Sequence, residues 1–182
     1  MRDPVPVLHL PIGTLESGLD DVRRAPADSG RLELIVARPC EDERELLDEA
    51  RLDEVSGLVG DRWDAGSHHP DAQVTVMNAR AAELIAGERA RWPLAGDQLY
   101  VDFDIGVTNL PPGTQLEIGG ALLQVTAEPH RGCGKFSRRF GVDALKFVNS
   151  ATGRELNLRG INTRVIRGGT IRTGDPVRKL AV

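Results

Sequence analysis

The chain has 182 residues, enough for one ordinary domain and too few for two of full size. Apolar residues make up 40 %, charged residues 27 % and aromatic residues 4 %, a globular composition that excludes collagen, coiled coil and wholesale disorder. The formal charge of -4 gives no overall pull toward nucleic acid, and the longest apolar run, Leu34 to Ala37, is four residues, against about 20 for a membrane span.

The first 30 residues carry Pro4, Pro6, Pro11 and Pro26, so a strand near Val5 to Leu10 followed by irregular chain is expected. An early acid and two prolines stand where a signal peptide has a basic and then an apolar stretch, which points to the cytoplasm and to no membrane partner. Arg31 to Ala37 alternates around Leu32, Leu34 and Val36 and reads as a strand. Glu41 to Val55 holds Leu47, Ala50 and Glu54 at helical spacing, with acids in the first turn that suit the helix dipole, and predicts a helix ended by Gly57. Residues 41 to 54 hold eight acids and two arginines, whereas 130 to 179 is basic, so an anionic ligand is expected in the last third of the chain.

Gln73 to Met77 predicts a strand that hands over at Asn78, a good N-cap, to a short helix ending at Gly87. From Gly96 the pattern becomes short strands with close turns, the pattern of a barrel or sandwich. Gln98 to Phe103 is one strand; Gln115 to Ile118 and Ala121 to Thr126 flank Gly119-Gly120, a hairpin turn, and Ile161 to Ile166 and Thr170 to Val177 are expected to pair through Gly168-Gly169. Between them Phe136, Phe140, Ala144 and Phe147 recur at three-to-four spacing, predicting a helical insertion over Lys135 to Val148 that breaks near Gly141. Gly-Asp recurs at Gly60-Asp61, Gly96-Asp97 and Gly174-Asp175 and reads as a turn entering a strand. Residues 1-56 are thus expected as N-terminal strands and an acidic helix packed on a β-barrel over 57-182, one structural unit overall.

The densest chemical group is His130-Arg131-Gly132-Cys133-Gly134-Lys135-Phe136-Ser137-Arg138-Arg139. A thiol between glycines can be approached closely, and the neighbouring cations favour thiolate, which is both nucleophile and soft-metal ligand. Cys40 is followed by Glu41, Asp42 and Glu43, which oppose thiolate, so it is read as structural. The two cysteines are 93 residues apart with no Cys-x-x-Cys, which argues against a redox dithiol. His68, His69, His130 and Cys133 match no zinc spacing, and there is no Walker loop, Gly-x-Ser-x-Gly elbow or dinucleotide fingerprint. Asp102 and Asp104 share a strand face without a partner and read as solvated. Basic residues without interleaved aromatics make no stacking platform, so no nucleic-acid partner is expected.

Gly57-Leu58-Val59-Gly60-Asp61-Arg62, Leu116 to Thr126, the Cys133 loop, Arg159-Gly160-Ile161-Asn162-Thr163-Arg164-Val165 and Gly169 to Val177, in that order, make the chain similar to the MOSC family, named for the C-terminal domain of molybdenum cofactor sulfurases. The likeness runs from about residue 57 to 180, with Gly132 where the family commonly has Pro. It implies a mainly β, closed barrel with α insertions, of the pyruvate-kinase-barrel-like type. It also implies a stand-alone member without the pyridoxal-phosphate domain of the eukaryotic sulfurases, so pyridoxal phosphate is not expected on this chain.

By the resemblance, Cys133 is the catalytic position and the metal ligand of a molybdenum-pterin cofactor, with His130, Arg131, Lys135, Arg138, Arg159, Asn162 and Arg164 as candidates to hold the phosphate and pterin. Three roles follow: oxygen-atom transfer on a small-molecule substrate, sulfur carriage as a persulfide on the same cysteine, or non-catalytic binding of the cofactor. No electron-transfer domain is recognisable in the chain, so catalysis would need another protein, an electron-transfer or sulfur-donor partner. Charge reversal at Arg138, Arg159 or Arg164 is expected to weaken an anionic cofactor more than reversal at Arg44 or Arg51, which the reading places on the acidic helix.

Overall fold

The computed structural model describes residues 9-66 and 69-180. The strand expected near Val5 to Leu10 falls mainly outside them. Two short helices, α1 (Ile12–Ser17) and α2 (Leu19–Arg23), lead into the long strand β1 (Ser29–Ala37). Then come β2 (Glu45–Leu47), β3 (Glu49–Asp53), β4 (Gly57–Leu58), β5 (Val74–Asn78), α3 (Ala79–Ala86), a 3-10 segment (Arg89–Ala95) and β6 (Leu99–Asp102). The remainder is β7 (Gln115–Ile118), β8 (Ala121–Val125), three helices α4 (Gly134–Phe140), α5 (Val142–Asn149) and α6 (Ala151–Glu155), and β9 (Ile161–Arg167), β10 (Gly169–Arg172) and β11 (Pro176–Leu180).

Seven strands close a barrel in the order β1-β6-β5-β9-β8-β7-β11 and back to β1. β1 makes closure possible because it pairs with β11 at its start, β6 in its middle and β2 at its end. Closure removes the open edges that would otherwise template aggregation. The one parallel pair of the ring, β5 with β6, needs a crossover, which α3 and the 3-10 segment supply. Asn78 caps α3 by accepting from the amides of Arg80 and Ala81, and Gly87 ends it at φ +75°, as the sequence predicts.

Period-2 alternation divides the apolar residues between two cores. Leu32, Val76, Leu99, Val101, Leu116, Ile118 and Leu123 point into the barrel. Val36, Met77 and Tyr100, one residue out of phase, point outward and bury against α3, the 3-10 segment, α4 and α5, with Ala82, Trp92, Phe136, Phe140, Ala144 and Phe147 in the same cluster. The insertion is helical and breaks at Gly141, φ +95°, and it packs on the outer wall of the barrel.

Three expectations are corrected. Residues 41-55 form no helix: a loop leads to β2 and β3, where Ala50 and Leu52 are buried and Glu49 and Arg51 exposed, the alternation of a strand. β3 pairs with β4 and with β10, a partner some 120 residues away, and this pairing overrides local helix propensity. Gly168-Gly169 does not turn a hairpin either, since β9 stays in the barrel while β10 joins the small sheet β10-β3-β4. These glycines serve close approach: a Cβ on Gly169 would lie 2.3 Å from the Gly120 carbonyl oxygen. Finally, the barrel does not begin at residue 57, because β1 is one of its staves. The Gly119-Gly120 hairpin joins β7 and β8 as expected, with Ile118 opposite Ala121 and Gly119 at φ +54°. No helix among the described residues is long and apolar enough to cross a membrane.

Candidate functional site

Cys133 occupies the N-cap position of α4, directly after the loop that leaves β8, and its side chain is exposed. The backbone amide of Phe136 holds its thiol below the ordinary range, assisted by the amide of Lys135 and the charges of Arg159 and Arg139, against a smaller opposing effect of burial. The cleft in front of it is lined by Arg38, Arg44, Arg62, Lys135, Arg139 and Arg159, with Asp42, Phe136, Ala95 and Gly96.

Four of these arginines come from separate parts of the chain and are gathered by one short segment. The carbonyls of Pro93, Leu94, Ala95 and Gly96, at the end of the 3-10 segment, accept from Arg44 Nε (3.0 Å), Arg139 Nη1 (2.9 Å), Arg159 Nη2 (2.8 Å) and Arg38 Nη1 (2.8 Å) respectively. Helix-end carbonyls are unpaired and carry partial negative charge, so they attract cations. Two buried aspartates fix the arrangement further. Asp61 takes Arg38 in a two-pronged contact (Nε 2.8 Å, Nη2 2.9 Å) and also accepts from the backbone amides of Arg38 and Trp63. Asp97 takes Arg159 Nη1 at 2.5 Å, and the guanidinium lies 5.2 Å from the Phe136 ring centroid. Both carboxylate side chains are fully buried. The crowding is felt at Arg44, where burial first, and then Arg139 and Arg38, push its pKa down.

The acidic loop after β1 borders this cleft: Glu41 pairs with Lys135, and Asp42, at φ +60°, pairs with Arg139 at 2.7 Å. Cys40 lies exposed on the same loop.

Behind Arg159 is a second cavity of about 220 Å³, lined by His130, Arg131, Arg154, Asn157, Arg159 and Asn162 over an apolar floor. His130 Nδ1 sits 3.4 Å from Asp97 Oδ1 without hydrogen-bond alignment. Burial, and then Arg159, push the imidazole pKa down to about 4, so His130 is neutral at pH 7. Asn162 Nδ2 donates to the Glu128 carbonyl at 3.1 Å.

The expected site residues therefore divide. Cys133, Lys135 and Arg159 meet in the first cleft; His130, Arg131 and Asn162 line the second cavity with Arg159. Arg138 is exposed on α4, and Arg164 lies on the outside of β9, bonded to Gln124 Oε1 at 2.6 Å; neither lines either space. Sequence reasoning missed Arg38, Arg44 and Arg62, placed Arg44 on a helix that does not exist, and saw Arg139 only as a cation near Cys133. The signal available was the repeated Gly-Asp at 60-61 and 96-97. Both glycines do take positive φ, but each turn also delivers the buried aspartate that positions a cleft arginine.

A family model for the MOSC domain matches residues 65-178. The chain belongs to the MOSC family. This domain type is associated with molybdenum cofactor binding. Among curated proteins none matches by sequence. Among solved structures this MOSC domain is similar in fold to YuaD from Bacillus subtilis (TM-score 0.62, 18 % identity, 82 % of this chain and 94 % of that one). It is also similar to YiiM from Escherichia coli (0.56, 23 %, 84 % and 70 %) and YiiM from Geobacillus stearothermophilus (0.54, 15 %, 84 % and 73 %).

Proposed function

We propose that this MOSC domain binds the molybdenum-pterin cofactor, with Cys133 Sγ as the protein's ligand to the metal and the surrounding cations as the seat of its phosphate. The observation that carries the reading is one exposed thiol, biased toward thiolate, facing guanidinium groups that other contacts already hold in place. Among the described residues no three His, Cys, Asp or Glu side chains converge as a metal site. A metal that needs several protein ligands is poorly served by this donor set. A metal that arrives with a soft sulfur ligand set of its own needs only one thiolate, and that is what the cleft offers.

Arg38 and Arg159 are oriented by carboxylate and carbonyl contacts, so their outward N–H groups are fixed before a phosphate arrives and little ordering is required on binding. Arg44, Arg62 and Lys135 add charge at the rim. When bound, the cofactor would supply oxygen-atom transfer to or from a small substrate, with electrons from an external donor. The chain's own part is to bind, to orient and to favour the thiolate of Cys133.

The same exposed thiol, its pKa lowered, would also attack the sulfane sulfur of a donor persulfide, releasing the donor's thiol and carrying the sulfur as its own persulfide. Expression in a cofactor-competent host, followed by elemental analysis for molybdenum and mass measurement of the intact protein, separates the two. One molybdenum per chain that is lost in Cys133→Ser supports ligation. A Cys133-dependent mass gain of one sulfur atom without molybdenum supports carriage, and neither signal overturns both.

A further inference from the structure

We propose that the cavity behind Gly160 is a binding site for a small organic carboxylate with an apolar body, distinct from the Cys133 cleft and independent of the cofactor reading. Its floor is apolar, made by Leu110, Val125, Val148 and Ile161, all nearly fully buried. At about 220 Å³ it exceeds the roughly 150 Å³ that holds a benzene ring.

Its mouth carries opposite chemistry. Arg131 and Arg154 both line it, both are exposed, and neither side chain makes a hydrogen bond or ion pair among the described residues. That contrasts with the first cleft, where Arg38, Arg44, Arg139 and Arg159 are all tied down. Glu128 is the carboxylate on the lining, and its Oε2 lies 3.6 Å from His69 Nε2. The unbalanced charge at the mouth is therefore positive.

The inner end is polar and closed. His130 Nδ1, Arg159 Nε and Asp97 Oδ1 are buried without hydrogen-bond partners. His130 Nδ1 and Asp97 Oδ1 face each other at 3.4 Å, so the protein's own groups close this corner, and the room for a ligand lies over the apolar floor and at the mouth. Gly160, at φ +107°, lets the chain pack closely here: a Cβ would stand 2.7 Å from the Val76 carbonyl oxygen and 3.1 Å from both His130 Nδ1 and Asp97 Oδ1. An apolar body over the floor with an anionic head toward Arg131 and Arg154 satisfies both halves of the cavity.

The test is a backbone-amide NMR titration of the whole chain with benzoate. Benzamide serves as the neutral isostere and inorganic phosphate as the head without a body. Saturable benzoate shifts are expected at the amides of Arg131, Arg154 and Ile161 and not at Arg44 or Arg62. Binding should be about tenfold or more weaker for benzamide, for phosphate at these amides, and for benzoate with the Arg131→Gln/Arg154→Gln variant. Cys133→Ser should bind benzoate as the unmodified chain does, so loss of the cofactor reading leaves this result standing. Equal binding of benzoate and benzamide, an unaffected double variant, shifts centred on the Cys133 cleft, or no saturable shift at all would each overturn the proposal.

Discussion

The cleft at Cys133 and the cavity behind Gly160 share Arg159, yet they use arginine in opposite ways. In the first, Arg38, Arg44, Arg139 and Arg159 each give a hydrogen bond to one of four consecutive carbonyls, and Arg38 and Arg159 also rest on buried aspartates. In the second, Arg131 and Arg154 reach the mouth with no such anchor. A tethered guanidinium presents a fixed field and loses little freedom when a ligand arrives, and a free one adapts to ligand shape at an entropic cost. The contrast teaches that a count of basic residues does not define a site. What holds each cation decides whether it is part of the fold, part of the ligand seat, or both.

The largest expected effect tests the anchoring. Asp97→Ala leaves Arg159, only 9 % exposed, without its carboxylate, and breaking a buried pair from one side costs about 3 to 5 kcal/mol. Arg131→Gln/Arg154→Gln removes two exposed, unpaired charges and should shift stability by no more than about 0.5 kcal/mol per site. Urea denaturation of the three proteins checks this, and comparable losses in both variants would erase the distinction between tethered and free arginines.

His130, on the second cavity beside Asp97, gives the next effect. Its folded pKa, about 4, lies below the ordinary 6.5, so between those values the native state binds fewer protons than the unfolded chain. The stability from neutral His130 is fully present above about pH 6.5 and is lost as pH falls toward 4. The amount at stake is about 2 to 3 kcal/mol. Denaturation midpoints measured from pH 7 to pH 4 should fall less steeply in His130→Gln; parallel curves would mean the imidazole is not shielded from protonation in the fold.

Much of the barrel was legible because its signals are local. Asn78 caps, Gly119-Gly120 turns, and the Phe136, Phe140, Ala144 and Phe147 spacing each act within a few residues. Residues 41-55 misled because β3 is a strand through its pairing with β4 and with the distant β10, and Gly168-Gly169 misled because close approach and hairpin turning both call for glycine. The cleft was half legible. Cys133, Lys135 and Arg139 share one segment, whereas Arg38, Arg44 and Arg159 converge only once the carbonyls of Pro93 to Gly96 are placed. The Gly-Asp repeat was visible as a turn, but no local rule shows that Asp61 and Asp97 become buried.

A smaller effect corrects the arginine ranking that the sequence suggested. Arg44 lines the cleft and Arg51 is exposed on β3, so Arg44→Glu should weaken cofactor retention about tenfold while Arg51→Glu leaves it unchanged. Arg164→Glu, on the outer face of β9, should behave like Arg51→Glu. Molybdenum content of the purified variants reads the difference, and equal loss at Arg44 and Arg51 would speak against a localised seat.

The smallest effect concerns how the cleft acts on its thiol. Cys40→Ser leaves Cys133 as the single cysteine, so the pH dependence of its alkylation by iodoacetamide reports one group. Because nucleophilicity falls as pKa falls, the midpoint pH and not the rate at one pH is the useful reading. The midpoint should lie below that of an unperturbed thiol. Arg139→Gln should raise it only part of the way back. The leading influence is the Phe136 amide, which a side-chain change at Arg139 leaves in place, and the Arg139 charge contributes after it. Salt should act in the same partial manner, since it screens the guanidinium groups across an exposed cleft but leaves short amide contacts largely untouched. A midpoint at or above the ordinary value would show that the arginines serve only as a phosphate seat. Full reversal by Arg139→Gln would show that the tethered cations, and not the first turn of α4, set the chemistry of Cys133.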